Sequence, residues 1–260
     1  MKAKGLKLFV ALLLFIAAFL FLPALRARVL MKAASVYEQQ SGKMTYDCVI
    51  PLNQLNWFPV MIHYDASEAY NERYGTHLKL MILYTFGDFK GNASEIYDMA
   101  SPYYSSFMGA YVVEGLNEDT SADLDCVQKI PVYDYENLIL RDLGDEHYSG
   151  AFQYEVTNAK ETEYLGTKGW QQLDISIETH GLWHEKRTFM RHYLQFGEPH
   201  SHGDEGETSS FEKTRLEGRI YYKRLDSASL VILYAITSDL DLLNQTDAQL
   251  LSKSKILPAN

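Results

Sequence analysis

Five of the eight histidines in this 260-residue chain fall between His180 and His202. A zinc site needs three or four ligands converging at about 2.0–2.3 Å on one ion. His184 and His192 cannot share such an ion: on one strand, eight residues at about 3.3 Å each hold them roughly 26 Å apart. His180 and His184 flank Gly181-Leu182-Trp183, and a three-residue hairpin loop sets them side by side across two strands. His200 and His202, followed by Asp204 and Glu205, stand in a polar loop. His180, His184, His200 and His202 are therefore the candidate metal ligands, and the chemistry they would support is metal-assisted hydrolysis. The helical H-E-x-x-H spacing is absent. A polar loop beside hairpin histidines accounts for the same pattern, so no cofactor is expected.

Other chemistry is less well represented. There is no G-x-S-x-G elbow for a serine nucleophile and no glycine-rich phosphate loop. Cys48 and Cys126, 78 positions apart, form neither a C-x-x-C motif nor a metal-ligand spacing. In an oxidising compartment they are a possible disulfide; otherwise they are small core residues. The acid pairs Asp123/Asp125 and Glu161/Glu163 read as solvated surface, because glycosidase carboxylates must face each other across a cleft. These absences argue against an enzyme.

A possible docking face remains. Arg187, Arg191 and Tyr193 share one side of a strand-like run, and Arg219, Tyr221 and Lys223 share one side of the next. Together they would make a basic-aromatic ladder suited to an acidic or sugar-like partner. The plainer reading, which the pattern favours, is a set of cross-strand pairs on the wet face of a sheet.

The elements that must position these residues are mostly strands. Met44–Ile50, Trp57–Tyr64 and His77–Phe86 read as strands, the last apolar on both faces. A short helix is expected over 66–74, a turn of helix at Ser94–Met99, and a returning strand over Tyr103–Val113. Glu114–Asp125 is acidic and poor in apolar residues, so it reads as a surface loop, with an irregular strand over Tyr133–Leu143. From Ala151 five runs follow with short turns between them: Phe152–Thr157, Trp170–Thr179, Lys186–Phe196, Arg215–Leu225 and Leu230–Thr237. That pattern is an antiparallel meander. Ser238 reads as the cap of a closing helix whose stripe is Leu240, Leu243, Leu250 and Leu251. The fold class is α+β: a mainly antiparallel sheet with a C-terminal helix packed on it.

Ahead of this domain lies Leu8–Leu25, eighteen residues without a charge, flanked by Lys2, Lys4 and Lys7 before and Arg26, Arg28 and Lys32 after. A hydrocarbon core of about 30 Å takes roughly 20 such residues. The run exceeds the apolar stretch of a secretory signal and lacks a clean small-residue cut, so a signal-anchor is expected in place of a cleaved leader. The expected organisation is a transmembrane segment over 1–32, a linker over 33–43 and an extracytoplasmic domain over 44–260. With six basic residues before the linker, the remainder carries −16 against −10 for the whole chain, which disfavours nucleic acid as a partner. The expected function is a single-pass, membrane-anchored binding or accessory domain, with the membrane (residues 8–25) and an envelope component or protein as partners. The alternative is an envelope hydrolase using the four histidines.

Overall fold

Strand β8 (Leu230–Thr237) is buried along its whole length and lies at the middle of a seven-stranded sheet. The computed structural model describes residues 3–21, 46–50, 57–64, 77–86, 100–116, 121–134, 153–180 and 213–258. In chain order the elements are α1 (Ala3–Phe21), β1 (Tyr46–Val49), β2 (Trp57–Tyr64), β3 (His77–Phe86), β4 (Phe107–Glu114) and α2 (Ser121–Asp134). There follow β5 (Gln153–Tyr164), β6 (Thr167–His180), β7 (Lys213–Arg224), β8, α3 (Leu240–Gln249), a 3-10 turn (Leu251–Lys253) and β9 (Lys255–Pro258). The sheet order is β2-β3-β4-β8-β7-β6-β5, and every neighbouring pair is antiparallel. β1 and β9 form a separate two-stranded ribbon. The fold is α+β, as expected.

Alternation along β4 and β8 divides the core into two layers. Phe107, Tyr111 and Val113 join Ile232, Tyr234 and Ile236 on one face, where Cys126, Val127 and Ile130 of α2 pack. Met108, Ala110 and Val112 join Val231, Leu233 and Ala235 on the other, beneath Leu242 and Leu243 of α3 and Cys48 of β1. Tyr234 lies opposite Gly109 in the register, stacks on Tyr111 and meets Phe107 edge-on. The missing side chain at position 109 makes room for that ring.

Several expectations are corrected. The stretch expected as a loop to Asp125 instead carries α2 over Ser121–Asp134, which also takes the first two residues of the strand expected over Tyr133–Leu143; residues 135–143 lie outside the described residues. Its buried face is Cys126, Val127, Ile130 and Asp134, so the helical period begins only after the acidic stretch that resembles a loop. β5 runs on to Tyr164, well past Thr157. Its outer half is polar and exposed, and lacks the apolar alternation that marks a strand. β6 and β7 pair directly from Gln171↔Tyr222 to His180↔Lys213, so the run 186–196 does not intervene between them. The cap of α3 is Asp239, whose Oδ1 accepts from the Leu242 amide at 2.8 Å; Ser238 donates to the Tyr104 carbonyl instead. The buried stripe is accordingly Leu242, Leu243 and Thr246, then Leu250 and Leu251, and Leu240 points to solvent. Residues 33–43, 66–74, 94–99 and 186–196 lie outside the described residues.

The expected transmembrane segment is represented by α1. Among the described residues no helix is long and apolar enough to cross a membrane. Of the run Leu8–Leu25 the described helix holds Leu8–Phe21, about 21 Å at 1.5 Å per residue, against about 30 Å of hydrocarbon.

A methyl group at position 109 would stand 2.6 Å from Cζ of Tyr234. Gly109→Ala is expected to cost about 2–3 kcal/mol, the upper range for overpacking a tight core. A urea unfolding midpoint unchanged from wild type would contradict this packing.

Candidate functional site

The β5–β6 hairpin turns on Leu165 and Gly166, both at positive φ (49° and 71°), as the tightest two-residue connection demands. Beside that turn Tyr164 lies flat on Tyr221 of β7, with ring centroids 3.7 Å apart, and meets the edge of the buried Trp170. This aromatic group forms one wall of the largest polar cluster among the described residues.

Arg219 is its centre. It faces Asp174 across the β6–β7 register, and its Nε donates to Asp174 Oδ1 at 2.8 Å. Its Nη1 donates to Asp247 Oδ2 of α3 at 2.9 Å and to Asn244 Oδ1 at 3.3 Å. Asp247 also accepts from the hydroxyls of Tyr221 (2.7 Å) and Tyr164 (2.8 Å). Asn158 and Gln172 donate to the Asp174 carboxylate. Lys223 donates to Lys168 O and Thr167 Oγ1, closing the hairpin end of the face.

Burial alone would raise the Asp174 carboxyl. The hydrogen bonds from Arg219, Asn158 and Gln172, with the Arg219 charge, overcome that and hold it below the usual carboxylate value. Burial likewise works against the Arg219 guanidinium, and the two aspartates more than restore its proton. Tyr164 and Tyr221 are pushed upward by burial and then by Asp247. General acid–base catalysis needs groups tuned towards the working pH. These three kinds of group are driven away from it, and each of these side chains is hydrogen-bonded within the cluster. The cluster fastens α3 to the sheet.

Of the residues named for a docking face, Arg219 and Tyr221 bond Asp247 of α3 and Lys223 bonds the β5–β6 hairpin end. Arg219 and Tyr221 lie under α3, and the described strands beside β7 are β6 and β8. Arg187, Arg191 and Tyr193 fall in the chain between β6 and β7. Those three residues, with His184, His200 and His202, lie outside the described residues; His180 ends β6 opposite Lys213. Among the described residues no group of three or more His, Cys, Asp or Glu can hold a metal. Cys48 and Cys126 are not bridged: they belong to the two opposite layers of the core, with the sheet between them.

Two further clusters escaped the sequence reading. Asp134, buried at the end of α2, accepts from the hydroxyls of Tyr111 and Tyr234. Asp123, expected as solvated surface, accepts from Nε and Nη2 along one edge of the Arg224 guanidinium at 2.6 and 2.8 Å, tying α2 to the end of β7. Asp247 had one legible signal, standing four residues after Leu243 on the flank of the buried stripe. No protein-family model matches the chain, and no curated protein matches it in sequence.

Asp247→Ala leaves Arg219 with Asp174 as its one carboxylate among the described residues, strands two phenols, and is expected to cost about 3 kcal/mol, at the scale of a broken buried pair. An equilibrium unfolding free energy within about 0.5 kcal/mol of wild type would refute it. Because the Asp174 carboxyl is lower in the folded than in the unfolded chain, its contribution is complete above about pH 4 and is lost as the pH falls through the folded value. Asp174→Asn should therefore differ from wild type by a constant amount above about pH 5, and the difference should shrink below about pH 4. A gap that widens on acidification would contradict the assignment.

Proposed function

We propose that this protein is a membrane-held binding domain of the cell envelope. In this reading the apolar run Leu8–Leu25, of which α1 holds the described part, lies in the bilayer, and the domain beginning at residue 44 faces the extracytoplasmic side, where it engages an envelope component or a protein without chemistry of its own. The observation that carries the reading is the distribution of exposed apolar side chains. Leu6, Leu8, Phe9, Val10, Leu12, Leu13, Leu14, Phe15 and Ile16 are all 44–74% exposed and follow one another round the whole of α1. A helix packed on a globular core hides one stripe; one apolar on every side suits a lipid environment. Lysine and arginine counts are equal on the two sides of the run, and the orientation rests on the short basic head at Lys2, Lys4 and Lys7, the usual start of a signal-anchor. The commitment of Arg219, Asp174, Asp247 and the tyrosines to one another supports the non-catalytic half of the reading.

Extraction of membranes with alkaline carbonate tests the anchor. Wild type is expected in the pellet. The pair Leu12→Arg and Phe15→Arg, at about 2.5–3.5 kcal/mol for each arginine near a helix centre, is expected in the supernatant with its far-UV spectrum retained. Wild-type protein released by carbonate would overturn the anchor. A C-terminal tag digested on sealed cells gives the expected side, and a tag protected until lysis gives the opposite one.

A further inference from the structure

The β1–β9 ribbon pairs through Tyr46↔Pro258 to Val49↔Lys255 and forms a sheet of its own, separate from the seven-stranded one. β9 brings one half-buried side chain to the core, Ile256, while Lys255, Leu257 and Pro258 are exposed. β1 brings Cys48 and, just past its end, Ile50, both buried in the layer beneath α3. At the surface the Tyr46 hydroxyl donates to Asp226 Oδ2 of the β7–β8 turn at 3.1 Å. A two-stranded ribbon is marginal in water without a third strand. Segments with few buried apolar side chains open more readily than the whole fold. The elements beside the ribbon are held by other means: β4 is paired on both edges, to β3 and β8, and α3 is fastened through Asp247 and Arg219. Losing the ribbon therefore leaves their ties in place.

We infer that the β1–β9 ribbon is a strap that opens and recloses while the seven-stranded sheet and α3 stay folded. Opening carries Cys48 from the core into solvent and frees Tyr46–Ile50, five residues that continue the chain from α1. At about 3.3 Å per extended residue they add about 17 Å to the reach between α1 and the sheet. The opening does not depend on where α1 resides. Its use as added reach from a bilayer rests on the anchor proposed above.

Thiol labelling separates the strap from the sheet, because Cys48 lies on β1 and Cys126 on α2, in opposite layers of the core, and the two are not bridged. The full chain in detergent micelles is pulsed with N-ethylmaleimide at urea concentrations below the unfolding transition, and the two cysteine peptides are read by mass spectrometry. Each rate is divided into that of the urea-unfolded chain, so the intrinsic reactivity of each thiol cancels. Cys48 is expected to be about tenfold less protected than Cys126, with a shallower dependence on urea because less surface is exposed when the strap opens. Tyr46→Phe keeps the ring and removes the surface hydrogen bond; it is expected to speed labelling at Cys48 about threefold and leave Cys126 unchanged. Protection at Cys48 equal to or above that at Cys126, with the urea dependence of global unfolding, would overturn the strap and leave the anchor standing.

Discussion

A guanidinium brought to the face of a sheet and then covered by a helix must be neutralised where it lies, because an unpaired buried charge costs several kcal/mol. Arg219 meets that requirement with one carboxylate from the neighbouring strand and one from the covering helix. Asp247 carries the second half and also receives Tyr164 and Tyr221, so one side chain of α3 gathers donors from β5 and β7. The position of α3 follows. Shifted by one turn it would bury the same leucines less well and leave three donors without an acceptor. The apolar stripe of Leu242, Leu243, Leu250 and Leu251 supplies the attraction, and the polar cluster supplies the register.

The same logic runs on the opposite layer in different chemistry. α2 ends on Asp134, which sits between two tyrosine hydroxyls, and carries in its first turn Asp123, which accepts from Nε and Nη2 of Arg224. Each helix is thus placed by carboxylates that reach down to the sheet, while leucine, valine and isoleucine fill the space between. Tyr234 joins the two ideas: its ring covers Gly109 and its hydroxyl meets Asp134. Polar groups in these positions specify which face of a helix is down more sharply than they stabilise it.

The parts legible in the sequence were those whose signal is local. β8 and β3 announce themselves by apolar runs of strand length, β6 by alternation, and the β5–β6 turn by its glycines. What escaped depends on partners distant in sequence. The junction of β4 with β8 joins segments more than a hundred residues apart, and no local pattern encodes it. α2 was hidden because its first turn is acidic and polar, which suits a helix amino terminus as well as a loop. Arg219, Tyr221 and Lys223 are legible as a group, but their partners are not, because Asp174 and Asp247 lie on other elements. Asp239 took the cap from Ser238 because the serine hydroxyl was already committed to the Tyr104 carbonyl.

The central claim is that the most conspicuous polar cluster of this domain is a fastening and not a site. A double-mutant cycle on Arg219→Met and Asp247→Leu, read by equilibrium unfolding, tests it directly. The expected coupling is about 2 kcal/mol, within the range found for residues in one buried network, with the double variant more stable than the sum of the singles implies. Additivity within about 0.3–0.5 kcal/mol would mean that the two side chains act independently, and would contradict it.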